Sequence, residues 1–438
     1  MSSQALHYDT IVIGGGQAGL ATSYCLTERG RDHLVIEQAA HPAHVWRDER
    51  WDSFTLVTPN WCILLPGAAY DGEAPDAFLS RDDIVTYFDH YVAHFRPPMR
   101  YGVRVTRVEA EAGERSGRSG RYRLEATTID GEPLLFSAAN VVVATGFDQQ
   151  PKIPAYASAL PASVNQIHSS AYRRPSALSE GAVLVVGSAQ SGCQIAEELY
   201  QSGRQVYLCV GRAGRAPRRY RGDDIARWLV RTGFFARPAE ALPSPQARFE
   251  APPHVSGAHG GHTLNLHQFA RDGVTLLGRL QGAHDSRIAL APDLHENLAG
   301  ADQFEAEVCE TIDSYIEQRG LDTPRDELPR LRDGFAIEEV THLDVRVAGI
   351  STVIWATGYT FDFSLIKLPA FDDFGFPIQT RGVTRFPGLY FVGLPWLHGL
   401  QSGTLIGVGE DALHVVQAIA EEDQQFRPQA SEPQRGRP

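Results

Sequence analysis

Two short apolar runs, at residues 11–13 and 182–186, are each followed at once by a glycine turn and then by apolar positions at helical spacing. An unbroken apolar run bounded by glycine is the pattern of a strand buried on both faces, and the change of period behind it marks the start of a helix. The first copy reads DTIVIGGGQAGLATSYCL and the second AVLVVGSAQSGCQIAEELY, and each leads into a further apolar run, HLVIE or QVYLCV. Strand, turn, helix and strand therefore recur in the same order. Two other runs, ANVVVATGF at 139–147 and GISTVIWATGYTFDF at 349–363, end in the same small residues, which suits strand ends pressed against a bound group.

The pattern predicts an α/β chain of two Rossmann-like dinucleotide-binding domains with three-layer, doubly wound sheets, the second domain inserted into the first. The boundaries read as 1–160 and 336–420 for the first domain, 161–335 for the second, and 421–438 for a polar, proline-rich disordered tail. The second A-T-G strand is expected to bring the chain back to the first domain. Within the first, VTRVEA and YRLEAT flank the polar stretch 111–121 and predict a hairpin. Residues 237–262 are rich in proline and have no period, so they read as a long excursion of the kind that forms a lid. A helix is expected over about 300–319, closed by a glycine, and a last strand and helix follow from about residue 389.

At 438 residues with 43% apolar content, the chain is long enough for two or three domains with sizeable cores. No apolar stretch approaches the roughly 18 residues of a membrane span, and the first residues carry neither a basic nor an apolar leader pattern. A net charge of −13 argues against nucleic acid as the main partner, although arginines crowd between 212 and 231. Five cysteines with no C-x-x-C pair point to reduced thiols and a cytoplasmic protein. Cys25, Cys193 and Cys209 fall on helices or strands where packing explains them.

The turns themselves carry the candidate chemistry. In G-x-G-x-x-G, Gly14 allows the tight turn, Gly16 lets backbone approach a pyrophosphate, and Gly19 lets the helix close on the strand, with Gln17 and Ala18 between them. Glu37 ends the next strand, where a carboxylate accepts from a ribose 2′-hydroxyl. The second turn offers Gly187, Ser188, Gln190, Ser191 and Gly192, but Val210 stands where Glu37 stands in the first, with Arg212 two residues on. A guanidinium in place of a carboxylate favours a 2′-phosphate, hence NADPH over NADH. No metal-binding set is read from the sequence.

These residues resemble the single-component flavin-containing monooxygenases, which bind FAD and NADPH on one polypeptide, and bacterial relatives of the plant indole-pyruvate monooxygenases. The likeness covers about residues 8–420. It rests on the first turn with Glu37, on Trp46-Arg47, on NQIHSSAYRRP at 165–175 with its His168, Ser169 and Tyr172, and on A-T-G-Y at 356–359. Val164 and Gln166 stand where the family pattern has an aromatic residue and a glycine. The resemblance implies that a flavin hydroperoxide passes one oxygen atom from dioxygen to a small-molecule substrate, with a homodimer allowed. It implies that Trp46 and Arg47 run along the flavin and its pyrophosphate, that Thr145, Gly146, Thr357 and Gly358 line the cofactors, and that Gln401, Ser402 and Thr404 approach the ring. An asparagine of the animal enzymes falls on Val57, with Asn60 three residues on; Asn60 and His168 are the catalytic candidates. Alternatives are a reductase serving a quinone or protein carrier, a Baeyer–Villiger oxygenase, and a nucleotide sensor without activity.

Overall fold

The alternation along β1 (Leu6–Ile13) decides what lies on either side of it: Val12 packs into one core, Ile11 and Ile13 into another. This computed structural model describes residues 5–111 and 122–425. Helix α1 (Gln17–Glu28) leads to β2 (His33–Ile36), which pairs in parallel with β1. The short α2 (His44–Asp48) and the longer α3 (Arg81–Phe95) follow, the latter started by a reciprocal cap between Ser80 and Asp83. β3 (Met99–Arg100) continues the parallel edge, and β4 (Val103–Ala110) and β5 (Tyr122–Thr128) make the expected antiparallel hairpin. Residues 112–121 of its loop lie outside the described residues. β6 (Pro133–Val143) pairs antiparallel with β5 and in parallel with β1.

The second unit opens with β7 (Asn165–His168) and β8 (Ala182–Val186), then α4 (Gln190–Gln201) and β9 (Val206–Cys209). Helices α5 (Ile225–Arg231) and α6 (Leu266–Arg271), strand β10 (Thr275–Leu277), helix α7 (Leu294–Arg319) and strand β11 (Ile350–Trp355) complete it. The chain ends through β12 (Gln379–Thr380), β13 (Val383–Thr384), β14 (Leu389–Phe391) and α8 (Val408–Gln425). One sheet has nine strands, ordered β12-β13-β14-β6-β1-β2-β3 with the β4–β5 hairpin attached to β6; the other is parallel throughout, β7-β11-β8-β9-β10.

Both sheets carry helices on one face and strands on the other. Val12 and Val142 share a core with Leu20 of α1 and Val415 of α8, whereas Ile11 and Val143 meet Leu124 of the hairpin and Phe376. In the second sheet Val183 and Val185 pack with Ile195 and Leu199 of α4, and Leu184 and Val186 pack with Ile288 and Leu290 of a small antiparallel sheet. Three layers result, as expected, with antiparallel strands as the third.

Three boundaries differ from the sequence reading. The second A-T-G strand, β11, does not rejoin the first sheet: it lies between β7 and β8, so the second unit runs to at least residue 355 and not to 335. The return is made by residues 359–360, which pair antiparallel with the outgoing residues 150–151. Helix α7 starts at Leu294, before the expected 300, and ends at Gly320 with φ +60°. Residues 421–425, read as disordered tail, belong to α8, because Glu422 accepts the Tyr390 hydroxyl at 2.6 Å and Asp423 pairs with Arg31 at 2.6 Å; residues 426–438 lie outside the described residues.

Candidate functional site

The two glycine turns have one geometry. Gly14 and Gly187 take φ of +110° and +106°, a region closed to most residues with a side chain. A Cβ on Gly14 would stand 2.5 Å from the Ala144 carbonyl oxygen, and one on Gly187 would stand 2.5 Å from that of Ala356. The two A-T-G segments are therefore what the turns rest on, one in each sheet. A Cβ on Gly19 or Gly192 would collide with the carbonyl of Gly14 or Gly187, which fixes how closely α1 and α4 approach. Gly16 and Ala189 precede the helices with nearly equal torsions, φ −79° and −76°, and neither helix has a side-chain cap. A cap is worth about 1 kcal/mol, so both helix ends leave amide donors for something else. A Cβ on Gly16, Gly146 or Gly358 would meet open space. Uncapped amides behind a turn open at Gly16 fit a pyrophosphate.

The turns differ in what faces them. Buried Glu37 accepts from the amides of Gly15 at 2.5 Å and Ala39 at 2.7 Å, so its carboxylate is fixed beside the first turn. In the second, Ser188 stands at the position of Gly15, and its Oγ accepts from the Gly211 amide at 3.0 Å. Val210 is wholly buried, and Arg212 is exposed with no hydrogen bond or ion pair among the described residues. The other arginines of the cluster are occupied: Arg215 by Asp302 and Glu305, Arg218 by Asp224, Arg219 by the carbonyls of Gly260 and Gly261, Arg221 by Asp313, and Arg227 and Arg231 by Asp223.

Several predicted residues serve the frame. Gln190 binds both the amide and the carbonyl of Val255, pinning the excursion to the second turn, while the Ser191 hydroxyl has no partner among the described residues. Gln17 donates to the Gly403 carbonyl and buried Ala18 lies against Gly393, which join the first turn to the loop before α8. In that loop Ser402 caps the amides of His398 and Gly399 and Thr404 binds the Gln401 carbonyl. Gln401 reaches Glu410 at 3.4 Å. The Asn60 amide is used up by the Ala74 carbonyl and the Leu79 amide. Arg47 pairs with Asp89 at 2.6 Å, and Trp46 lies against Phe54 beneath the guanidinium of Arg50.

The H-S-x-x-Y segment is a junction. His168 Nε2 donates to the Gly358 carbonyl at 3.0 Å and Nδ1 accepts from the Ser170 amide at 3.2 Å, an arrangement that needs neutral imidazole; burial lowers its pKa accordingly. Tyr172 donates to Glu198 of α4 at 2.8 Å, and the same carboxylate receives Ser53 from the first unit. Thr145 and Gly146 are bound through Gln149, and Thr357 through the Lys152 carbonyl. The excursion crosses back as well, with hydrogen bonds Ala239 N to His398 O, Leu400 N to Arg237 O and Gln401 N to Phe235 O.

Residues 11–229 match the family model described as pyridine nucleotide-disulphide oxidoreductase, which spans both turns. The chain belongs to that family. This oxidoreductase is 30% identical to an uncharacterized oxidoreductase, CzcO-like, of Geobacillus kaustophilus over 94% of its own length and 98% of that protein. It is 30% identical to the indole-3-pyruvate monooxygenase YUCCA1 of Oryza sativa over 46% of its length and 47% of that protein. Its fold is that of the flavin-containing monooxygenase from Stenotrophomonas maltophilia, with a TM-score of 0.61 at 21% identity over 95% of this chain and 99% of that one. The resemblance drawn from the sequence is upheld.

The thiols of this family member are not poised for exchange. None is in a disulfide, four are buried, and burial pushes Cys25 up to about 11 and Cys62, Cys209 and Cys309 up to about 12, with Cys193 raised as well. The sequence reading passed over Asp148, two residues past the first A-T-G. It is exposed at the surface, yet desolvation by the surrounding protein raises its carboxyl, opposed by Arg50. Its position after the motif was the available signal. Neighbouring Phe147 meets Phe361 at 4.8 Å and Phe249 of the excursion at 6.0 Å, three rings from three separate segments. No described helix is long and apolar enough to cross a membrane.

Proposed function

We propose that this oxidoreductase is a cytoplasmic, FAD-dependent monooxygenase that consumes NADPH and transfers one atom of dioxygen to a small organic substrate. FAD lies on the first turn, held by Gly14, Gly16, Gly19 and Glu37, and NADPH on the second, held by Gly187, Gly192 and Arg212. The observation that carries the reading is the difference between two otherwise matched turns: a fixed carboxylate beside one and an unoccupied guanidinium beside the other. Bound flavin supplies hydride acceptance and activation of dioxygen. The chain holds two nucleotides across one junction, with Tyr172 and Ser53 sharing Glu198 and His168 fastening the second A-T-G turn. The excursion over the loop at 398–401 excludes water from the space between. Thiols raised to about 11 or 12 weigh against a disulfide acceptor, and the relatives named as monooxygenases favour oxygen.

The test is labelled dioxygen supplied with NADPH and a panel of amines, thiols, 2-oxo acids and ketones. One labelled oxygen atom per NADPH in the product of an accelerating substrate is expected. Hydrogen peroxide equal to NADPH with every member of the panel, together with rapid quinone reduction, would establish the reductase alternative.

A further inference from the structure

We propose that His41, His44 and Asp48 form a surface site for a borderline divalent cation of the Zn2+ class, independent of the nucleotide sites. His41 comes from the loop after Glu37, and His44 and Asp48 lie four residues apart on one face of α2. One ligand atom from each lies within 4.8 Å of the others. His41 Nε2 and His44 Nδ1 stand 2.6 and 2.7 Å from the same Asp48 oxygen. Two imidazoles and one carboxylate suit Zn2+, Co2+ or Ni2+ better than Mg2+ or Ca2+, which prefer oxygen alone. Bond lengths of about 2.0–2.2 Å in a tetrahedron put ligand atoms about 3.4 Å apart, so the two imidazoles must draw back slightly from Asp48. All three side chains are roughly two-fifths exposed (37, 37 and 41%), which leaves them that freedom and leaves water to complete the shell.

A fourth group supports the assignment. Glu49 lies 3.6 Å from His44 Nε2, on the ring edge away from Asp48. A carboxylate behind a metal-bound imidazole fixes its tautomer and raises its basicity. α2 has five residues, none buried, and no side-chain cap, so its own helical hydrogen bonds hold it weakly. A cation joining His41 to the helix would brace the segment that carries Trp46.

The untagged protein with its native cofactors is titrated calorimetrically with ZnCl2, and separately with CoCl2 while visible absorption is followed. One Zn2+ equivalent and an inner-sphere Co2+ band are expected, with both lost in the His41→Ala/His44→Ala double variant. Asp48→Asn keeps the shape of the side chain and should weaken binding about 10-fold or more, and Glu49→Gln about 10-fold. Retention of the same Zn2+ equivalent by the folded double variant, or no binding by the wild type at roughly 100 µM (about −5.5 kcal/mol), overturns the proposal and leaves a hydrogen-bonded His–Asp–His trio.

Discussion

Gly16 and Gly19 lie three residues apart and should fail in different ways. The space around a Gly16 Cβ is open in the protein, so Gly16→Val should fold and lose the flavin, giving colourless protein with an unchanged circular dichroism spectrum. Stoichiometric FAD in that variant would remove the main support for the first site. Gly19→Ala drives a methyl into the Gly14 carbonyl and should instead lower the unfolding midpoint. Gly187→Ala falls in the same destructive class, because of its φ and the Ala356 carbonyl, so Ala189→Val is the variant that probes the second ligand without breaking the turn. Arg212 is exposed and makes no hydrogen bond or ion pair among the described residues. A charge-assisted phosphate contact is worth roughly 1.5–3 kcal/mol, so Arg212→Ala should raise the KM for NADPH by about one to two decades and leave that for NADH nearly unchanged. Equal weakening of both nucleotides would assign Arg212 to the shared pyrophosphate.

At the scale of elements, the excursion is tied down by a titrating pair. His262 lies 2.6 Å from Glu197 of α4, and that hydrogen bond raises the imidazole above its ordinary value, against desolvation and Arg218. A pKa raised by folding gives stability that is complete below the unfolded value, near 6.5, and is lost as pH rises through the folded value. Cleavage by trypsin within residues 232–262 should therefore accelerate from pH 6 to pH 8.5, measured relative to a peptide substrate, and His262→Gln should flatten the difference. The elements themselves were legible where their signal is local: both strand–turn–helix units, the β4–β5 hairpin, and the glycine closing α7. The destination of β11 was not legible, because a strand's own pattern does not say which sheet it joins. Both A-T-G strands are apolar and end alike, and only the hydrogen bonds to β7 and β8 tell them apart. The last turn of α8 was hidden for a related reason: EEDQQ is polar, and its order comes from Tyr390 and Arg31, more than thirty residues away.

For the molecule as a whole, the cofactor turns could be read from the sequence because their chemistry is backbone geometry, written in glycines at fixed spacing. Contacts among segments distant in the chain could not, such as Phe147 against Phe249 and Phe361 or Arg50 near Asp148. Candidates chosen by resemblance, such as Asn60 and His168, have their polar atoms committed to holding loops. The two units are joined in the chain by a pair of short neighbouring segments, 150–151 and 359–360, hydrogen-bonded to each other. Such a ribbon bends easily about one axis and resists motion about the others. Away from it, three main-chain hydrogen bonds between 235–239 and 398–401 span the same gap. The mechanical equivalent is a door on a hinge latched at several points: the three bonds at 235–239, Ser53 on Glu198 and Arg218 on the Val57 carbonyl must all let go before the units can swing apart.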